Sequence, residues 1–378
     1  MGGRRLLVLN ERDLLHPQAG GAEVHCFEVF RRLAARGDAV TLVSCGFPGA
    51  APSERVQGIE VVRVGERVSY YPGALRTYRR LRAVAPFDAV VEDLNKFPFF
   101  SRFWVREPIV VLVHHFFGRT AFQQVAWPLA AATFAAEKLV PRLYRGLPVV
   151  AVSPSTRDEL VAGGMRAGDV HVIPNGLDHT LYRPGAGTRA AVPMVLALGR
   201  IEPYKRTELL VDAVARIPGA RLVVAGSGTA MEALRAHVER SGCGERVELL
   251  GFVDEAEKVR LLQEAHVVAT ASRKEGWGLT VVEAAACGTP SVAFDVPGLR
   301  DAIRNGETGL LVPADDADAF AAALRRVLED AALRERLAAG AIAWARRFTW
   351  DNAAEAIGRL IDEAIAARQG RERRLASG

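Results

Sequence analysis

Short β-branched apolar runs alternate with helix-length stretches throughout this chain, which limits its fold to parallel sheets with helices on both faces. In the first half the predicted strands are residues 6–9, 40–44, 59–64, 89–92, 109–113 and 149–152. A second series runs through 194–198, 222–225, 247–249, 267–271 and 291–294. Residues 22–36 read as the first helix, with Val24, Phe27, Leu33 and Ala34 on one face and Gly37 as the stop. The pattern predicts two successive doubly wound α/β units, and 378 residues suit two cores better than one. Pro, Asn, Gly and Asp cluster over residues 175–184 and mark the boundary. Ligands of such sheets bind beyond the carboxyl ends of the strands. Two sheets facing each other would make a cleft.

An apolar content of 49% with 25% charged residues describes a soluble globular chain. The longest apolar run, residues 126–136, has 11 residues and is too short to span a bilayer. No charged-then-apolar leader with a cleavage site opens the sequence, so a cytoplasmic location is expected. Cys26, Cys45, Cys243 and Cys287 lack paired spacing and read as buried thiols of a reducing compartment. Residues 1–185 carry 23 Lys+Arg against 17 Asp+Glu, and residues 186–378 carry 26 against 27. The basic excess therefore belongs to the first half. No nucleic-acid recognition module or aromatic-interleaved basic run accompanies it, so nucleic acid is not an expected partner. Phe117, Phe122, Trp127, Phe134 and Tyr144 lie among Arg119, Lys138, Arg142 and Arg145, and Arg76, Arg79, Arg80 and Arg82 add a second basic group. Such a mixture suits peripheral contact with the inner face of a membrane, and equally an ordinary core-facing helix beside a solvated charged face.

The chemistry concentrates in residues 275–283, Glu-Gly-Trp-Gly-Leu-Thr-Val-Val-Glu. Glu275 would stand on a tight loop after a strand and Glu283 about one turn into a helix. Gly276 and Gly278 let a backbone approach a ligand closely, and a helix start offers unpaired N–H groups to an anion. A carboxylate accepts through two oxygens, which suits paired sugar hydroxyls, and the spacing alone equally suits a plain helix start with Glu283 solvated. This E-x7-E stretch, with Gly-Arg-Ile-Glu-Pro-Tyr-Lys at 199–205 and Pro-Asn-Gly-Leu-Asp at 174–178, resembles the retaining family-4 glycosyltransferases of the GT-B fold. The resemblance runs in order and spacing from the first strand to about Trp350.

It implies two Rossmann-like domains facing across a cleft. The N-terminal acceptor-binding domain would span 1–180 plus 350–378, and the nucleotide-sugar domain 181–349. A final helix following Phe348-Thr349-Trp350 would cross back to the first domain, with residues 368–378 frayed. Arg200 and Lys205 would meet the diphosphate, whose charge grows as the glycosidic bond breaks. Glu275 would hold hydroxyls of the donor sugar and Glu283 the ribose, while Gly276, Trp277 and Gly278 offer backbone N–H groups. Many relatives carry Phe where Trp277 stands, a change that is tolerated or reshapes the pocket edge. Gly226 and Ser227 match the family's glycine loop, and Val253 would contact the base through its backbone. Gly20 and Gly21, between the first strand and helix, would turn N–H groups toward a diphosphate or the sugar. His114 would approach the donor sugar; relatives often follow it with Asp, where this chain has His115, which leaves the pair's roles open.

The implied reaction moves a hexose-type sugar from a UDP- or GDP-sugar to an acceptor hydroxyl with retention. It needs neither a cofactor nor an essential metal. Asp316-Ala317-Asp318 spells the D-x-D of metal-dependent transferases, but it precedes a helix and reads as an N-cap. Asn175 and Asp178 read as turn residues. His16, Gln18, Asn95 and Lys96 are loosely placed acceptor candidates. Two further readings stay open: a sugar-nucleotide 2-epimerase of the same fold, and a non-catalytic sugar-nucleotide-binding subunit.

Overall fold

The computed structural model of the protein describes residues 3–66, 69–94, 97–118, 122, 127–187 and 189–376. The chain divides into two compact units, one of residues before 119 with 127–176 and 350–376, the other of 177–349.

The first unit holds eight strands: β1 (Arg5–Leu9), β2 (Ala39–Ser44), β3 (Ser53–Val56), β4 (Ile59–Arg63), β5 (Ala89–Leu94), β6 (Ile109–Val113), β7 (Val149–Ala151) and β8 (Val170–Val172). Their order is β3-β4-β2-β1-β5-β6-β7-β8. Every pairing is parallel except β3–β4. Leu6 to Leu9 and Val110 to Val113 are fully buried, as continuous apolar runs must be when helices cover both faces. The apolar runs missed β3, a polar edge strand closed by a two-residue turn at Gln57-Gly58, both at positive φ. They missed the three-residue β8 as well, which is ordered by its pairing to β7.

The second unit holds β9 (Met194–Leu198), β10 (Arg221–Ala225), β11 (Val247–Gly251), β12 (Val267–Thr270), β13 (Ser291–Phe294) and β14 (Gly309–Val312), in the order β11-β10-β9-β12-β13-β14. All are parallel. The unpredicted β14 completes the edge.

The last helix, Trp350–Ala376, belongs to the first unit. Trp350, Ala353, Ala354, Ile357, Leu360 and Ile361 recur at helical spacing and are buried in one cluster with Leu6, Phe27 and Leu33. Arg4 fastens it, donating through Nη1 to Gly358 O at 2.8 Å and to Asp362 Oδ1 at 2.9 Å. The expected fraying from Arg368 is not seen. The helix continues to Ala376, and Arg368 pairs with Glu372 one turn on at 2.6 Å.

Among its parallel strands each sheet has one switch point, between β1 and β5 in the first unit and between β9 and β12 in the second. At such a switch point the connections leave in opposite directions and open a crevice at the carboxyl ends.

Candidate active site

At the switch point of the second unit, Lys205 follows β9 and Glu275 follows β12. Lys205 ends the 3-10 turn Pro203–Lys205. Its Nζ pairs with Glu275 Oε1, and Ser272 Oγ donates to the same oxygen at 2.7 Å. Burial pulls the Lys205 pKa down, but the Glu275 carboxylate outweighs it and the ammonium is held above its usual range. The alignment depends on Arg206, which no motif singled out. Arg206 is 9% exposed, donates through Nε to Ala271 O at 3.1 Å and stacks 4.8 Å from the Phe294 ring centroid. It thus ties the loop after β9 to the end of β12. Arg200 is an exposed side chain whose charge acts on Lys205, working against the effect of Glu275.

The Glu275 loop is set by its neighbour strand. Glu275 N donates to Pro297 O at 3.2 Å. Gly298 sits at φ +82°, and a Cβ there would lie 2.3 Å from Glu275 O, so only glycine allows this approach. Gly276 lies in the loop and Gly278 is the N-cap of the helix Leu279–Ala286. The Trp277 ring is buried, edge-on to Phe348 at 5.0 Å between centroids. The larger ring is therefore absorbed by packing within the unit.

Glu283 lies one turn into that helix and is 4% exposed. Oε1 accepts from Lys258 Nζ at 2.8 Å, whereas Oε2 is buried without a partner. Burial raises the Glu283 pKa, and the Lys258 charge opposes it. Lys258, on the helix Glu255–Glu264, also reaches Tyr182 Oη at 2.7 Å and Glu255 at 3.3 Å. Sequence reasoning missed it. Its rarity, one of five lysines among 49 basic residues, was the only signal available.

Gly226 and Ser227 are built into the frame of this site. Gly226 N donates to Gly251 O at 2.7 Å, and Ile201 N to Ser227 O at 2.9 Å. A Cβ on Gly226, at φ +148°, would stand 1.8 Å from Gly199 O. The loop after β10 is thereby laced to the loops after β9 and β11. Val253, just past β11, is half-buried beside Phe252, which is 83% exposed.

In the first unit, His114 leaves β6 and sits beside the β1/β5 switch point. Its Nε2 lies 2.8 Å from Asp93 Oδ1, and Asn10 Nδ2 donates to Asp93 Oδ2 at 3.1 Å. Thr156 Oγ1 donates to His114 O at 3.2 Å. Burial lowers the His114 pKa, but the charge and hydrogen bond of Asp93 together lift it above the usual value. His25 meets the His114 ring edge-on at 5.1 Å, and both its nitrogens are buried without partners. Burial, with His114 adding to it, drives the His25 pKa far down, so this neighbour stays neutral. Of the two glycines expected to offer N–H groups, Gly20 has already given its own to Glu23 Oε2 at 2.7 Å. That correction follows from the helix start, where a glutamate three residues on reaches back to the cap. Gly21, the first residue of the helix Gly21–Ala35, has no acceptor one turn back. Glu92, adjacent to Asp93, is a structural carboxylate, accepting from Phe99 N at 2.8 Å, Ser101 N at 3.2 Å and Tyr144 Oη at 2.7 Å.

The remaining described candidates make local contacts. Asp316 Oδ1 accepts from Ala319 N at 2.9 Å and caps the helix Ala317–Glu329. Asp178 Oδ1 accepts from Thr180 N at 2.9 Å in a local turn. Asn175 is buried with its Oδ1 unpartnered. His16 and Gln18 share the loop after β1, where Gln18 N donates to His16 Nδ1 at 3.0 Å and Arg12 Nη2 to Gln18 Oε1 at 2.7 Å. Asn95, Lys96 and Arg119 lie outside the described residues. All four cysteines are buried free thiols.

Two parallel doubly wound units, the last helix returned to the first, constitute the GT-B architecture. Sucrose-phosphate synthase (tll1590) from Thermosynechococcus elongatus superposes with a TM-score of 0.84 at 24% identity, over 96% of this chain and 100% of that one. Anabaena Alr3699/HepE, solved in complex with UDP-glucose, superposes with a TM-score of 0.76 at 20% identity, over 95% and 100%. The family model described as Glycosyltransferase Family 4 matches residues 19–181, and that described as Glycosyl transferases group 1 matches 180–344. The D-inositol 3-phosphate glycosyltransferase of Kribbella flavida is 32% identical over 92% of both chains. The chain spans about half the length of several other relatives of the same description, those of Acidothermus cellulolyticus and Xylanimonas cellulosilytica among them. The chain belongs to the family-4 glycosyltransferases.

Proposed function

We propose that the protein transfers a hexose-type sugar from a UDP- or GDP-sugar to an acceptor hydroxyl, with retention of configuration. The observation that carries this reading is the Lys205–Glu275 pair at the second unit's switch point, in the same unit as Glu283 with its unpartnered Oε2. Lys205, with Arg200, neutralises the departing diphosphate, and Glu275 holds sugar hydroxyls. The bond from the anomeric carbon to the diphosphate breaks as the acceptor oxygen bonds on the same face. A diphosphate oxygen takes the acceptor proton, so no carboxylate base is required. The second unit, 181–349, takes the donor, and the first, 1–180 with 350–378, takes the acceptor. The relatives named for D-inositol 3-phosphate support a hydroxyl-rich acceptor.

Thermal unfolding against UDP-, GDP-, ADP- and dTDP-sugars, with and without EDTA, tests the donor assignment. One nucleotide is expected to raise the midpoint, with EDTA making no difference, and Glu283→Ala is expected to abolish the rise. A folded protein that responds to none would show that no working donor site is assembled. Product that forms only when an acceptor is added separates transfer from 2-epimerisation and from binding alone.

We further propose peripheral contact with an anionic membrane at the cytoplasmic face. No helix among the described residues is long and apolar enough to cross a bilayer. On the helix Trp127–Leu143, however, Trp127 is 72% exposed and Leu129 and Leu139 are both 47% exposed, beside exposed Lys138 and Arg142. Arg76, Arg79 and Arg80 are exposed on a second helix of the same unit. Flotation with phosphatidylglycerol vesicles, but not with neutral ones, is expected. Equal failure with both would remove the membrane from this account.

A further inference from the structure

We propose that Lys258 is a positioning residue for the donor: it fixes Glu283 as a carboxylate in one orientation, leaving the unpartnered Oε2 as the acceptor for vicinal hydroxyls. This rests on the donor-site reading above.

The geometry is unusual for a structural ion pair. Glu283 is 4% exposed, and a buried carboxylate ordinarily uses both oxygens. Here Oε1 is satisfied by Lys258 at 2.8 Å and Oε2 by nothing in the described structure. Lys258 is itself clamped, by Tyr182 Oη at 2.7 Å and Glu255 Oε1 at 3.3 Å, so it has one place to stand. Tyr182 also donates to Glu255, closing a ring of three groups behind the lysine. The side chain of Lys258 is 18% exposed, whereas that of Glu283 is 5% exposed, so the lysine screens the carboxylate from water as it pairs with it.

The titratable and charged groups around Glu283 are Lys258 and Glu255 from one helix, Tyr182 beside them, and Cys287 at the end of its own helix. Burial and Glu255 favour the neutral acid, and Lys258 alone opposes them. A protonated Glu283 would retain an acceptor oxygen, but it would lose the charge-assisted hydrogen bonds that a carboxylate makes to two hydroxyls. Without Lys258 the Glu283 pKa rises, so donor binding should weaken at low pH and recover as pH rises through that value.

The test is calorimetric binding of UDP-glucose and GDP-mannose between about pH 6 and pH 9, a range in which neither sugar-nucleotide diphosphate titrates. In Lys258→Met the donor that binds the wild-type protein is expected to bind about ten-fold more weakly at pH 6–7, recovering toward pH 9. Lys258→Arg should stay near wild type, and adding Lys258→Met to Glu283→Gln should cost nothing more. A Lys258→Met protein that is folded by circular dichroism yet binds as the wild type does at every pH overturns this role alone. So does a loss of equal size at every pH. If the wild-type protein binds neither sugar nucleotide, the donor site itself is refuted and the role of Lys258 with it.

Discussion

Lys205→Ala is expected to lower kcat at least ~100-fold while lowering the thermal midpoint by only a few degrees and leaving the protein folded. The two halves of that result come from one geometry. The Lys205 and Glu275 side chains are only 20% and 17% exposed, so the deletion leaves a mostly buried carboxylate held, among the described residues, by Ser272 alone and costs about 1–3 kcal/mol of stability. In the reaction the same ammonium faces a leaving diphosphate whose charge increases along the path. An interaction that grows toward the transition state acts on kcat more than on KM. Glu275→Gln should fall by a similar factor, because an amide keeps the shape but loses the second acceptor and the charge that orients Lys205. Since the two side chains hold each other, the double variant should be far less than multiplicatively impaired. Steady-state kinetics with calorimetric melting checks all three. A Lys205→Ala enzyme with near-normal kcat would remove this residue from the site.

Gly226→Ala is expected to be the most damaging single-methyl change in the second unit, costing about 3 kcal/mol of its stability. The added Cβ would stand 1.8 Å from Gly199 O, and that contact is backbone against side chain, with no flexible end to yield. At φ +148° the residue also occupies a conformation that L side chains rarely adopt. Relief requires the loop after β10 to withdraw, which breaks the bonds from Gly226 N to Gly251 O and from Ile201 N to Ser227 O. Because Ile201 leads into the Lys205 turn, activity should fall with stability. Thermal melting of this variant beside a Gly187→Ala control, a site where nothing lies within 4 Å, measures the effect. Equal midpoints for the two would show that these loops are not interlocked.

The frame of both units was legible from pattern alone. Apolar runs such as 6–9, 109–113 and 194–198 mark strands because a parallel sheet under two helical layers buries every position of its strands. Lys205, Glu275 and Glu283 were legible through the resemblance of their motifs to the family-4 glycosyltransferases, since spacing alone suits a plain helix start with Glu283 solvated equally well. The polar edge strand β3 and the short β8 were not, because neighbours rather than composition order them. Nor were Arg206, Lys258 and Asp93, each of which acts on a residue distant in the chain. Lys258 lies 25 positions from Glu283, Asp93 21 from His114, and Arg206 65 from Ala271.

What the sequence determined by itself is local: which segments are strands or helices, where two cores divide, and which charged residues stand on loops after strands. Tertiary structure decided the rest. Strand order is a matter of pairing between segments far apart, and nothing in the runs at 194–198 and 267–271 states that they become neighbours with their connections leaving in opposite directions. That adjacency brings Lys205 onto Glu275, and it sets β1 beside β5 so that Asn10 meets Asp93 and His114. The physical reason is that burial is written in each segment's own side chains, whereas pairing depends on the free energy of the whole packed sheet.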